Sequence, residues 1–318
     1  MDFSLLYDNL TNPALLFFVL GIFAVSVKSD LEIPPNSSRF ISLYLLFSIG
    51  FKGGQELAHS HLGFDVLWSI LFALVLSACI PLLAFPILRI RLNNFDAGAT
   101  AAAYGSISAV TFVTAVSYLE IVGDTFSGHM VAIMALMEAP AIVAGIILIR
   151  RFEKEGAQGT VISTIKHSLT NASVVLILGS LVIGFLASEK QAAGIAPFTT
   201  DIFKGFLAIF LLDMGIISGR KLKSFFKYGW FTLSFAIIFP LIMGVSVVFL
   251  SSIVTDNSAD RFIFAILAAS ASYIAVPATM KIAVPKATPG LYLPMALAVT
   301  FPVNLTIGIP LYYYLANL

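Results

Sequence analysis

The stretch "GSISAVT", Gly105–Thr111, places Ser106, Ser108 and Thr111 beside a glycine in the middle of a long apolar run. Hydroxyls in that setting can satisfy peptide groups freed where a helix unwinds in lipid, and they can hydrogen-bond a solute held there. A second polar stretch, "SASYIAVPAT" from Ser270, carries Ser270, Ser272, Tyr273 and Pro277. Gly105 and Pro277 favour breaks in otherwise helical text. A broken helix offers a half-helix N-terminus, which suits an anion, and exposed carbonyls, which suit a cation. Small residues also let membrane helices pack closely, so either stretch alone reads equally well as a packing seam.

Other polar side chains lie in apolar surroundings. Glu138, in "LMEAPAI", is an intramembrane carboxylate and by default a functional candidate; its structural alternative is a protonated or hydrogen-bonded Glu. Asp213, in "FLLDMG", can pair with Lys52 or Lys204 or cap an interrupted helix. Asn304 and Thr306 follow Pro302 and offer neutral oxygen ligands. Lys52, near a span end, can snorkel to the surface. Tyr273 can hydrogen-bond a solute, although an aromatic in a packed bundle is more often structural. His59, His61, His129 and His167 make no metal pair on one deep helical face, and only His59 with His61 suggests an external metal site. No HExxH, GxSxG or Walker-type phosphate loop occurs, so neither an enzyme nor an ATPase is expected, and no cofactor beyond a coupling ion.

These residues must be positioned by membrane helices. The chain has 318 residues, 59% hydrophobic and 11% charged, with a mean hydropathy of +0.97; a soluble domain carries roughly 25% charged residues. Ten apolar spans are expected, at about 12–27, 38–58, 65–88, 95–118, 127–149, 168–187, 199–218, 228–251, 259–283 and 289–314. Period-two alternation, the mark of a barrel, is absent. The net charge of +1 gives no basic patch for nucleic acid, and the single Cys79 can form no intrachain disulfide. The N-terminus "MDFSLLYDNL" is acidic and has no basic n-region, so no cleavable signal peptide is expected. One set of loop ends carries Lys28, Arg39, Arg89, Arg91, Arg150, Arg151, Lys154, Lys166, Arg220, Lys221, Lys223, Lys227, Lys281 and Lys286. The opposite set carries only Lys190, Lys204 and Arg261. The asymmetry predicts an inner-membrane protein with both termini outside and the midpoint loop in the cytoplasm.

The chain also repeats itself. "SIGFKGGQEL" from Ser48 aligns with "DMGIISGRKL" from Asp213, "SISAVT" from Ser106 with "SASYIA" from Ser270, and "EAPAIVAGI" from Glu138 with "TFPVNLTIG" from Thr300. The offsets are 165, 164 and 162 residues, one register from three separate pairings. Five spans per half, an odd number, make this an inverted repeat: 1–151, a linker at 152–167, and 168–318. Secondary transporters of that build hold their substrate near the midplane at discontinuous helices, here spans four and nine.

Over nearly its whole length the sequence resembles the sodium-dependent bicarbonate transporter family of cyanobacteria and other bacteria, most clearly in "FKGGQEL", "YGSISAVTFVTA", "MEAPAIV" and the run from "AASASYIAVPATMK" to "FPVNLTIGIPLYY". The resemblance implies ten spans in two inverted five-helix repeats, crossed fourth and ninth helices, and usually a homotrimer. It also implies a core domain (helices 3–5 and 8–10) that moves in elevator fashion against a gate domain (helices 1–2 and 6–7). It puts bicarbonate and sodium near the crossing, and matches Ser106, Ser108 and Thr111 to the first hydroxyl-rich stretch, Ser270 and Ser272 to the second, and Glu138 to a usual acidic position. With these matches, anion contacts are expected from Ser106, Ser108, Ser270 and Ser272, with Tyr273 a further candidate, and sodium contacts from Thr111, Glu138 and Asn304. Tyr273 stands where the family commonly has an acidic residue, and Ala275, Val276 and Ala278 stand where small polar, glycine and proline residues are usual. The family suggests control by a PII-like partner, and the midpoint loop here is much shorter than in cyanobacterial members. The alternatives of similar build are a cation–proton antiporter, an organic-anion/sodium symporter, and a membrane receptor that binds without transporting.

Overall fold

The computed structural model describes residues 13–59, 63–153, 162, 166, 169–225 and 228–318. The N-terminal stretch, His61, Lys154, His167, Lys227 and nearly all of the midpoint linker lie outside the described residues. Among the described residues every regular element is helical. The first five spans appear as α1 (Pro13–Ser26), α2 (Pro35–His59), α3 (Phe64–Leu88), α4 (Asn94–Gly105) with α5 (Ala109–Val122), and α6 (His129–Leu136) with α7 (Glu138–Phe152). The rest are α8 (Ala172–Leu186), α9 (Glu189–Ala196), α10 (Phe203–Phe225), α11 (Gly229–Leu250), α12 (Ser258–Ala269), α13 (Ala275–Ala283), α14 (Pro289–Pro294), α15 (Phe301–Val303) and α16 (Ile309–Ala316). Wider π-turns flank α15 at Met295–Thr300 and Asn304–Gly308, next to Pro294 and Pro302, which cannot donate to the helical ladder.

Six of the described helical stretches are long and apolar enough to cross a bilayer: Phe64–Leu88, Asn94–Val122, His129–Phe152, Glu189–Leu222, Gly229–Ile253 and Pro289–Ala316. The surface is apolar where a soluble protein's would be charged: Phe64, Trp68, Ile183, Leu186 and Trp230 all point outward. The polar residues Ser77, Thr100, Ser106 and Asn304 are fully buried. This inside-out arrangement belongs to an integral membrane protein, whose outer face meets lipid.

Contacts recur in matched pairs. α1 packs along α10, and α2 along α8. Glycines make both approaches possible: a Cβ on Gly50 would lie 2.7 Å from the Ile177 carbonyl oxygen, and one on Gly215 would lie still closer to that of Phe18. Likewise α3, α4 and α7 pack together, as do α11, α12 and α16. Asn93 caps α4 and Asn257 caps α12, each accepting from the amide of an aspartate three residues on, Asp96 at 2.8 Å and Asp260 at 3.2 Å. Each aspartate then reaches the other half of the chain. Asp96 accepts the Thr288 N–H at 2.7 Å, just before α14. Asp260 accepts the Ser127 N–H and hydroxyl, both at 2.7 Å, just before α6.

Candidate functional site

The chain leaves helix at Ser106–Ser108 and again at Ser270–Ile274, and the two breaks complete each other's hydrogen bonds. Gly105 ends α4 because α3 leaves no room for a side chain there: a Cβ would collide with the Pro81 ring and sit 3.0 Å from the Ser77 carbonyl oxygen. Ser108 caps α5, its hydroxyl accepting the Thr111 N–H at 3.2 Å. The Ser108 N–H donates to the Ser270 hydroxyl at 3.0 Å, and that hydroxyl donates to the Leu267 carbonyl at 3.0 Å. In the reverse direction the Ser272 N–H donates to the Ala103 carbonyl at 2.8 Å. The Ser272 hydroxyl accepts the Val276 N–H, in the first turn of α13, at 3.4 Å. Pro277, in the first turn of α13, has no N–H to satisfy. α5 packs against α12 and α13 against α4, so the four half-helices meet around the two breaks.

At the crossing is a cavity of about 50 Å³, room for roughly three to five water-sized groups. Its wall includes Ser108, Ala109 and Val110 from the start of α5, Ser272, Tyr273 and Ala275 at the start of α13, and Glu138. Glu138 is the first residue of α7, only 5% exposed, and its Oε1 has no hydrogen-bond partner among the described residues. The first-turn N–H groups of Ala109, Val110 and Ala275 have no partner within their own helices. Two partial positive charges and one carboxylate thus face one small space. That donor set fits an anion and a cation held side by side.

The structure brings together Ser108, Ser272, Tyr273 and Glu138, and places the other expected site residues outside the cavity wall. Ser106 is fully buried, its hydroxyl without a partner among the described residues. Ser270 is engaged in linking the breaks, and Thr111 is buried behind the α5 cap. Asn304 donates to the Ala269 carbonyl at 2.7 Å, and the Tyr312 hydroxyl lies 3.4 Å from its Oδ1, so it braces the end of α12. Thr306 bonds its own helix at Pro302, 2.8 Å away. Asp213 accepts from the Ser38 hydroxyl. Lys52, offered by the sequence as its partner, instead pairs with Glu120 at 2.9 Å. His59 lies 3.4 Å from Glu189, and no group of three or more His, Cys, Asp or Glu among the described residues could hold a metal ion.

Several contributors had no role in the sequence reading. The fully buried Ser77 on α3 ties the end of α4 to the α6–α7 junction, with its hydroxyl donating to the Met137 carbonyl and lying 3.2 Å from that of Gly105. Nothing local in "LSACIP" marks it. Tyr104 and Thr300 share a hydrogen bond of 2.7 Å, and Thr300 also donates to the Ala236 carbonyl at 2.7 Å. The Asp96 and Asp260 anchors were legible in principle, because Asn93–Asp96 and Asn257–Asp260 repeat at an offset of 164.

An apolar helical bundle that breaks two helices beside a small cavity, a few polar groups set in a mostly apolar wall that includes Leu45, Ile107, Val113 and Phe210, defines an integral membrane protein with a solute-sized site. A family model described as the Na+-dependent bicarbonate transporter superfamily matches residues 13–317, essentially the whole chain, and the chain belongs to that superfamily. This is a transporter family, not an enzyme family. No curated protein matches the sequence.

Proposed function

We propose that the protein is a secondary transporter that imports bicarbonate, or a similar small anion, together with sodium. The observation that carries this reading is the meeting of two half-helix N-termini with one buried carboxylate in a single small cavity. The anion sits against the amides of Ala109, Val110 and Ala275 and the hydroxyls of Ser108 and Ser272. Sodium sits at Glu138, with Thr111 and Asn304 holding the surrounding backbone. Each ion lowers the desolvation penalty of the other, so the loaded pair crosses more readily than either alone. The inward sodium gradient then drives uptake. A proton antiporter would be expected to place a second deep carboxylate here, and among the described lining residues Glu138 stands alone.

The matched contacts support an inverted repeat of ten spans. α1 runs parallel to α10 and α2 parallel to α8, as the glycine approaches Gly21 to Leu212, Gly219 to Val25, Gly50 to Ile177 and Gly54 to Leu181 require. The short 27–34 connection reverses the chain between α1 and α2, so the repeat-related α1 and α8 point in opposite directions. The α1, α2, α8 and α10 group forms the gate, and the α3–α7 and α11–α16 segments form the core that travels, in a homotrimer. With the basic loop ends in the cytoplasm, the roughly 750 Å³ vestibule beside Arg39 and Arg220 opens inward. The Lys52–Glu120 pair then lies on the external side. Proteoliposomes test the reading: labelled bicarbonate should enter only with external sodium, and equal uptake when choline replaces sodium would refute the coupling.

A further inference from the structure

The small cavity and the large vestibule share a wall. Ser42, Ser173, Phe210, Tyr273 and Ile274 line both spaces, about 50 Å³ on one side and 750 Å³ on the other. Ser42 and Ser173 are small, and Phe210 is locked within the core of α10 at 1% exposure. Tyr273 differs. It lies between α12 and α13, outside either helix, half-buried, with its ring spanning from the break toward α10. Its hydroxyl donates to the Met214 sulfur at 3.6 Å, and the Phe301 ring meets it edge-on at 6.5 Å between centroids. The hydroxyl also engages the Ser108 side chain, and together these contacts hold the phenol in the wall between the two spaces.

We propose that Tyr273 sets the size limit of the site, closing the cavity to anions larger than roughly four or five heavy atoms, and that removing its ring joins the cavity to the vestibule. This rests on the cavity at the crossing being the substrate site. The ring, not the hydroxyl, carries the limit: the hydroxyl lies between Met214 and Ser108 at the edge of the cavity, and a phenylalanine would fill the same space. The substrate class that follows is the small oxyanions and the shortest monocarboxylates. Hydroxy acids and dicarboxylates are excluded by volume, although their carboxylates would satisfy the same amides.

The test uses the full-length protein in detergent with saturating sodium. Thermal stabilisation by bicarbonate, formate, nitrate, lactate and succinate is compared for the wild type and Tyr273→Ala, Tyr273→Leu and Tyr273→Phe. The wild type should respond to the first three anions and not to lactate or succinate. Tyr273→Ala should gain at least tenfold in affinity for lactate relative to formate, Tyr273→Leu should gain less, and Tyr273→Phe should keep the wild-type limit. If Tyr273→Ala does not fold, the Leu and Phe pair carries the comparison. A folded Ala or Leu variant with an unchanged limit overturns the proposal, as does a wild type that binds lactate and formate alike. Sodium-driven bicarbonate uptake with a size limit untouched by substitution leaves the transport reading standing and removes only the wall. Size sorting that is lost in Tyr273→Ala, in a protein that does not bind bicarbonate, supports the wall and removes bicarbonate.

Discussion

Ser108 does two jobs that substitution can separate. It caps α5 through the Thr111 N–H at 3.2 Å, and its hydroxyl faces the cavity while only 3% of the residue is exposed. Replacing an N-cap serine by alanine costs about 1 kcal/mol, whereas glycine costs only a few tenths. A hydrogen bond to a charged partner is worth about 1.5–3 kcal/mol. With a factor of ten for each 1.4 kcal/mol, its loss weakens anion binding roughly 10- to 150-fold. Water cannot readily replace it at so buried a position. Ser108→Gly and Ser108→Ala both preserve the main-chain bond to Ser270, and the backbone at 108 (φ −103, ψ 108) is open to either residue. If the hydroxyl contacts the anion, both variants should raise the bicarbonate KM by that factor at saturating sodium, with alanine additionally lowering the melting temperature. Uptake into proteoliposomes and thermal unfolding provide the two measurements. A glycine variant with wild-type KM, beside a destabilised alanine variant, would reduce Ser108 to a cap and refute the anion contact.

The same pair of substitutions at Ser272, whose hydroxyl is no helix cap and holds the Val276 N–H only at 3.4 Å, should affect KM similarly and stability less. Glu138→Gln keeps an oxygen but loses the charge, so half-maximal transport should need at least tenfold more sodium, equivalent to about 1.4 kcal/mol; unchanged sodium dependence in a folded variant would assign Glu138 a structural role. Ser77→Ala leaves the Met137 and Gly105 carbonyls without that hydroxyl and should lower unfolding stability by about 1–3 kcal/mol. A loss below about 0.5 kcal/mol would show that Ser77 does not hold the end of α4 to the α6–α7 junction. The Lys52–Glu120 side chains are 27% and 30% exposed, so Lys52→Gln should alter stability by no more than about 1 kcal/mol; a larger loss would mean that the pair is shielded from solvent in the working protein.

Membrane residence and the two breaks were legible in the residues themselves, whereas α9, Glu189–Ala196, falls where only a connection between spans was expected. Long apolar runs admit one solution in lipid, a hydrogen-bonded helix, and Gly105 and the serine-rich stretches mark where that solution fails. The shared offset near 164 marked the second break as the partner of the first, because paired segments of one fold keep one register. The membership of the cavity was another matter. Ser106 and Ser108 are two residues apart and equally polar, yet one hydroxyl is sealed inside the protein while the other caps a helix at the cavity wall. Asn304 reads as a ligand and is engaged with the Ala269 carbonyl. Ser77, unmarked in its helix, ties the first break to the α6–α7 junction. Which way a side chain points at an unwound segment depends on the carbonyls and amides that neighbouring helices bring within about 3 Å. Those neighbours lie far away along the chain, so only the packed structure decides which polar groups are consumed in holding the breaks together and which remain for a solute.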